Sequence, residues 1–166
     1  ELLNNSFVLL QNNSYGSSAF FAITALEETA KTHFSMYMAH DLSMKNNKDI
    51  LMNHAKKHSL AISPVFKIGH RLSNAIGIEK VDELVLRTDQ KNGLMDLRNN
   101  AIYWYTDTDG THFPKDYFDK DMAIELLLFS IESFDDSLVG YTDYSITASH
   151  MTDDLFKLAE QQYAKK

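Results

Sequence analysis

The chain contains no cysteine, which excludes disulfide staples, thiolate nucleophiles and cysteine-based zinc sites. It has only two prolines and six glycines in 166 residues, so long stretches carry no helix breaker. No uninterrupted apolar run reaches the roughly 20 residues that a membrane-spanning helix needs. No membrane partner is therefore expected, and the lack of cysteine suits a reducing cytoplasm. Positive charge is also scarce. Sixteen Lys and Arg face 23 Asp and Glu, and the net charge of −7 argues against a broad, nonspecific nucleic-acid surface. The few cations are concentrated: Lys56, Lys57, Lys67, Arg71 and Lys80 lie with His58 and His70 in a stretch whose one acid is Glu79. Acids gather later, at Asp107, Asp109, Asp116, Asp119, Asp121 and Glu125, then at Asp135, Asp136, Asp153 and Asp154. The first residue, Glu1, is not an initiator methionine, as in a trimmed chain or a fragment, so a targeting segment farther upstream would not be seen.

What is present is a hydrophobic fraction of 44%, enough for one domain over residues 1–166 with a real core. The organising stretch is Ser18 to His40. Ser17 and Ser18 offer N-cap oxygens, and Ala19 to Met38 then runs without Gly or Pro and with apolar residues on nearly every side, the pattern of a buried central helix. At helical spacing one stripe reads Phe20, Ile23, Glu27, Lys31, Phe34, Met38, which sets an acid and a base four residues apart between large apolar groups. Glu28 shares a side with Thr24, Thr32 and Ser35, a face expected to be wet. Two readings of Glu27 and Lys31 compete. One is an intrahelical ion pair at a damp edge, worth about 0.3 to 0.5 kcal/mol. The other is a buried network, which needs partners from elsewhere in the fold because ionised groups are costly in a core.

The other segments also read as helical. Leu2 to Asn12 forms a short apolar helix ended by Asn12 to Gly16, and Asp49 caps an element carrying His54 and His58 that Pro64 interrupts. Val65 to Ile76 stops at Gly77, and Glu79 to Leu97 is a helix weakened at Asn92 and Gly93. Ala101 to Tyr105 is densely aromatic, and the turn residues Thr106 to Gly110 after it suit a hairpin. Asp119 or Asp121 caps a strongly apolar helix, Gly140 to Ser149 reads as a loop, and Thr152 begins a last helix through Tyr163. The fold class is all-α: a bundle of five or six helices with no βαβ pattern.

Several chemistries are absent. None of the eight glutamates is followed by His at the third position, so the Glu-x-x-His pairs of a di-iron bundle are missing. There is no G-x-x-x-x-G-K-[ST], G-x-G-x-x-G or G-x-S-x-G. His54 and His58 could share a helix face toward zinc, but no acid lies between them and no third ligand is evident; a solvated pair is the simpler reading. No metal and no cofactor are expected. What remains is Glu27 and Lys31 with the cationic His54, Lys56, Lys57 and His58, and the segment Arg98-Asn99-Asn100-Ala101-Ile102-Tyr103. Arg and His around a small acidic cluster can bind a phosphodiester and stabilise a charged transition state without metal. Each element alone has a plainer reading, Arg98 as a helix C-terminal cation and Tyr103 as a core residue.

Ala25-Leu26-Glu27-Glu28-Thr29-Ala30-Lys31, preceded by Tyr15-Gly16-Ser17-Ser18-Ala19, resembles the Glu-Glu-x-x-Lys helix of the AbiV-type abortive-infection proteins of the HEPN superfamily. His54-Ala55-Lys56-Lys57 resembles the His/Lys element of that family's next helix. Arg98 to Tyr103, with Gly110 and Pro114 downstream, resembles its Arg-x-x-x-x-Tyr segment, turn and proline. The match spans about residues 15 to 125. It implies a HEPN-like helical domain, often a homodimer, that acts in bacterial defence against phage by shutting down translation, with RNA as substrate and a phage protein as a further partner. Many HEPN proteins are metal-independent endoribonucleases. Their Glu-x-x-x-Lys motif falls on Glu27 and Lys31, and their Arg-x4-6-His motif on Arg98, with Asn99 as its polar second residue. Tyr103 stands where the histidine would, and His112 lies too far along. A phenol, with a reference pKa of about 10, is a poor base near neutrality. The resemblance thus leaves His54, or His58, as the acid/base candidate, with Lys56, Lys57 and His58 toward the RNA. The competing reading is a noncatalytic HEPN module that binds RNA, a nucleotide, the translation machinery or a phage protein.

Overall fold

A computed structural model describes residues 1–38, 57, 70–89 and 93–163. Among these residues the fold is all-α apart from one small hairpin: α1 (Leu2–Gln11), α2 (Tyr15–Met38), α3 (Arg71–Ile76), α4 (Ile78–Asp89), α5 (Gly93–Asn100), β1 (Tyr105–Asp107), β2 (Gly110–His112), α6 (Pro114–Tyr117), α7 (Lys120–Leu138) and α8 (Asp143–Glu160). Six of these helices have eight residues or more, and α3 and α6 are short turns of helix. The expected Asp49 cap and Pro64 break lie outside the described residues.

α2, expected as a buried central helix, shares the core with α7, whose residues 123–133 are buried without interruption. Its run from Met122 to Ile131 has no face suited to water, and α2, α1, α8, α3 and α4 all pack around it. Asp119 caps it, its Oδ1 accepting from Met122 N at 2.8 Å. Against α7, α2 presents small residues: Ala19, Ala22 and Ala30 are fully buried, with Ile23 and Leu26 between them. Small side chains at a crossing let two helices approach closely. Here Ser130 Oγ on α7 reaches across to donate to the Ala22 carbonyl at 2.9 Å. Ser17 and Ser18 do not cap α2, which begins earlier, at Tyr15, with Ser18 N already donating to Ser14 O at 2.9 Å. Ser18 is instead buried at the α1 contact, where Ser6 Oγ donates to its carbonyl at 2.8 Å.

The single helix expected over Glu79 to Leu97 is two, α4 and α5, and Gly93 opens the second. A Cβ on Gly93 would sit 2.2 Å from the Arg87 carbonyl, so only glycine lets α5 start this close to the end of α4. The last helix starts at Asp143 rather than Thr152. Thr142 Oγ1 accepts from Ser145 N at 3.0 Å while Ser145 Oγ accepts from Thr142 N at 3.1 Å, a reciprocal cap built with serine where glutamate is usual.

Arg71 ties three helices together. From α3 its guanidinium donates to Glu132 at 2.8 Å and Asp135 at 2.7 Å on α7 and to Asp153 at 2.6 Å on α8, and it lies 4.2 Å from the centre of the Phe156 ring. This cation, read from sequence as part of a basic stretch, is thus consumed within the fold. One guanidinium does not neutralise every acid around it. Burial first, then the charges of Glu132 and Asp135, push the Asp136 carboxyl from 3.8 up to about 6, and its Oδ2 is buried with no hydrogen bond among the described residues. A carboxyl raised on folding binds its proton more tightly in the native state, so stability declines as pH rises from 3.8 through about 6. Asp136→Asn is therefore expected to raise the melting temperature near pH 7, with the gain shrinking toward pH 4; thermal melts of both proteins at the two pH values check this.

Candidate functional site

Glu27 lies midway along α2 and is only 2% exposed. A carboxylate removed from water to that extent requires cations or strong donors on its oxygens. Among the described residues, two cations from outside the helix lie on it. Lys57 Nζ, itself buried, donates to Oε2 at 3.3 Å. Arg98 Nε lies 3.6 Å from Oε1, an ion-pair distance too long for a hydrogen bond. Among the described residues, one oxygen of Glu27 thus faces Lys57 and the other Arg98.

The position of Arg98 follows from α5. Leu94, Leu97 and Ala101 are buried and seat this short helix against its neighbours, with α2 among them. Arg98, next to Leu97 on the partly exposed side, is carried to the mouth of the contact with its side chain 22% exposed. Its guanidinium lies over Phe20 of α2, 5.0 Å from the ring centre. Phe20 and Glu27 are seven residues apart and therefore share a face of α2. One side chain of α5 spans both. Arg98 Nε is buried and has no hydrogen-bond partner among the described residues, a donor with capacity left over.

Lys31 does not join this group. Its ammonium pairs with Glu28, and both side chains remain substantially exposed, at 35% and 48%. The physical reason is that Lys31 lies at the wet edge of α2, where the nearby Glu28 is reached without desolvation, whereas Glu27 points inward to cations from distant parts of the chain. The expected Glu27–Lys31 pair is thus replaced by Glu27 with Lys57 and Arg98. Lys57, assigned to RNA from its place in the basic stretch, is buried on Glu27 instead of presenting its charge outward. His54, Lys56 and His58 lie outside the described residues. Asn99 is half-buried, and its carbonyl accepts from Tyr103 N at 2.9 Å and Ile102 N at 3.1 Å, closing the end of α5. The Tyr103 side chain is 63% exposed, which overturns its reading as a core residue. His112 belongs to the hairpin, where its ring lies 2.9 Å from Asp107 and stacks on Tyr105 at 4.7 Å.

This cluster sits on the segments that carried the resemblance, and the family model for AbiV, a HEPN family, matches residues 1–132. The chain belongs to the AbiV family of HEPN proteins. Among curated proteins and solved structures, nothing matches. In this AbiV-family chain the matched segment holds α1 to α6 and most of α7, and so all three members of the Glu27 cluster. The Arg71 network straddles its end, since Asp135 and Asp153 lie beyond it. Sequence reading missed Phe20 as the ring under Arg98, although Phe20 stood in the same helical stripe as Glu27. Among the described residues no group of acids and histidines is placed to hold a metal ion, and no helix is long and apolar enough to cross a membrane.

Proposed function

We propose that this AbiV-family protein acts in abortive infection as a metal-independent endoribonuclease that shuts down translation. The observation that supports it is the Glu27–Arg98–Lys57 cluster: a buried carboxylate facing an arginine whose side chain remains 22% exposed. Such an arginine is held in place before substrate arrives, and a planar guanidinium suits a phosphate. In metal-free RNA cleavage the 2′-oxygen bonds to phosphorus and the P–O5′ bond breaks. The 2′-hydroxyl proton passes to a base, the 5′-oxygen receives one from an acid, and a cation balances charge on the phosphoryl oxygens. Arg98 takes the last role. Glu27 and Lys57 position it, and His54 is the acid/base candidate, with Asn99 next to Arg98 at the end of α5.

A second reading, a noncatalytic HEPN module that binds RNA or a protein, is favoured by the depth of Glu27 and Lys57. Both are nearly inaccessible, as members of a structural network would be. Incubating the purified protein with total cellular RNA and a chelator separates the two. Fragmentation that persists with the chelator supports the nuclease; retention of intact RNA by a folded protein supports the binding module.

Homodimerisation belongs to the same proposal and rests on the family resemblance. The apolar stretches Leu2 to Leu10 and Phe129 to Phe134 add little spare surface: Leu3, Phe7, Leu10, Phe129 and Ile131 are inside the core of one chain, while Val8 is exposed. Light scattering at micromolar concentration is expected to give twice the 19.0 kDa chain mass; a value near 19.0 kDa would remove the dimer from the account.

A further inference from the structure

The hairpin and the helix after it expose large side chains that the core does not use. Tyr103 is 63% and Trp104 65% exposed, and Tyr105, Phe113 and Tyr117 are each more than a third exposed. Five exposed aromatic rings within fifteen residues are far more than scattered surface apolarity requires. The surface is held in place. Asp107 accepts from Asp109 N and lies on His112 within the hairpin, and the Thr106 and Thr111 hydroxyls meet across it at 3.2 Å. Phe118 is buried just beyond. At the base, Gly16 of α2 lies so close that a Cβ there would be 3.2 Å from the Ala101 carbonyl and 3.4 Å from that of Pro114. Both ends of the hairpin segment are therefore seated against α2, and the rings are presented at low entropic cost to whatever binds them.

Charge decides the occupant. Residues 102–121 carry five acids (Asp107, Asp109, Asp116, Asp119, Asp121) and two lysines (Lys115, Lys120), a net of −3. Stacked bases would bring phosphates into that field, whereas apolar side chains flanked by cations would be drawn to it. We propose that Tyr103, Trp104, Tyr105, Phe113 and Tyr117 form a docking surface for a protein segment that presents apolar side chains between lysines or arginines. Aromatic side chains of this kind supply most of the energy of small protein interfaces, and the surrounding acids set partner choice. The surface begins five residues after Arg98, so an occupant sits on the chain that leaves α5.

Trp104 is the only tryptophan, so intrinsic emission reports on this surface alone. The probe is a synthetic peptide of alternating leucine and lysine, with a leucine and glutamate peptide as its counterpart. The lysine peptide is expected to give a saturable blue shift and the glutamate peptide none. Asp109→Lys with Asp116→Lys should weaken the lysine peptide about tenfold, and the milder Asp109→Asn with Asp116→Asn by less, while Glu79→Lys, an exposed acid on α4, should leave it unchanged. Circular dichroism confirms that each variant is folded, and the asparagine pair carries the test if the lysine pair is not. The proposal is overturned if the two peptides bind alike, or if the Asp109 and Asp116 changes have no more effect than Glu79→Lys. It is also overturned if oligouridylate saturably quenches Trp104 in place of the peptide, which would make the surface a nucleic-acid platform. A concentration-dependent shift of the protein alone would assign the surface to a second copy and overturn it equally.

Discussion

Glu27→Ala is expected to lower folding stability by about 3 to 5 kcal/mol, the scale for breaking a buried ion pair and leaving its partner charged. The stranded partner is Lys57, almost inaccessible and 3.3 Å from the carboxylate that would be lost, with Arg98 Nε losing its counter-charge at the same time. For a chain of this length each kcal/mol shifts the midpoint by about 2 to 4 °C, so a fall of roughly 6 to 20 °C is expected in a calorimetric melt. Glu27→Gln keeps the shape and one acceptor and should lose less. The cost comes from the unpaired cation more than from the lost contact, so Glu27→Leu combined with Lys57→Met should recover most of the stability while leaving Arg98 unheld. A loss below about 1 kcal/mol for Glu27→Ala would mean that water reaches the cluster and that Glu27 is not the group that orders it.

How much of this was readable from sequence depends on how local each cause is. The run of α2 from Ala19 to Met38 was legible because nothing in it breaks a helix, although its start at Tyr15 was not, and the Asp119 cap was legible because capping acts over three residues. The true start of α8 was missed because its capping residues, Thr142 and Ser145, lack the glutamate that marks a capping box in sequence. The glutamate of the candidate site was legible as a charge out of place in an apolar stripe, but its partner was not. Helical spacing puts Lys31 near Glu27, and only the tertiary fold brings Lys57 from 30 residues away while leaving Lys31 at the wet edge with Glu28. For the same reason Arg71 read as surface charge, since its acceptors on α7 and α8 lie 61 to 82 residues away. Three of the five rings, Tyr103, Trp104 and Tyr105, were visible as an aromatic run, but their exposure depends on how the hairpin segment is seated against α2 and has no signature in the local pattern.

Arg98→Ala is expected to abolish RNA cleavage while costing little stability. The Arg98 side chain is partly exposed, so its removal takes one cation from Glu27 while Lys57 stays on the carboxylate. Arg98→Lys should be nearly as damaging, because an ammonium reproduces the charge without the planar fork that grips two phosphate oxygens. Glu27→Gln, if folded, should reduce cleavage less than Arg98→Ala, since it loosens the arginine without deleting it. The decisive measurement is fragmentation of total cellular RNA in the presence of chelator by the wild type and by an Arg98→Ala protein of unchanged melting temperature. The account predicts cleavage by the first and none by the second; full cleavage by folded Arg98→Ala would contradict it.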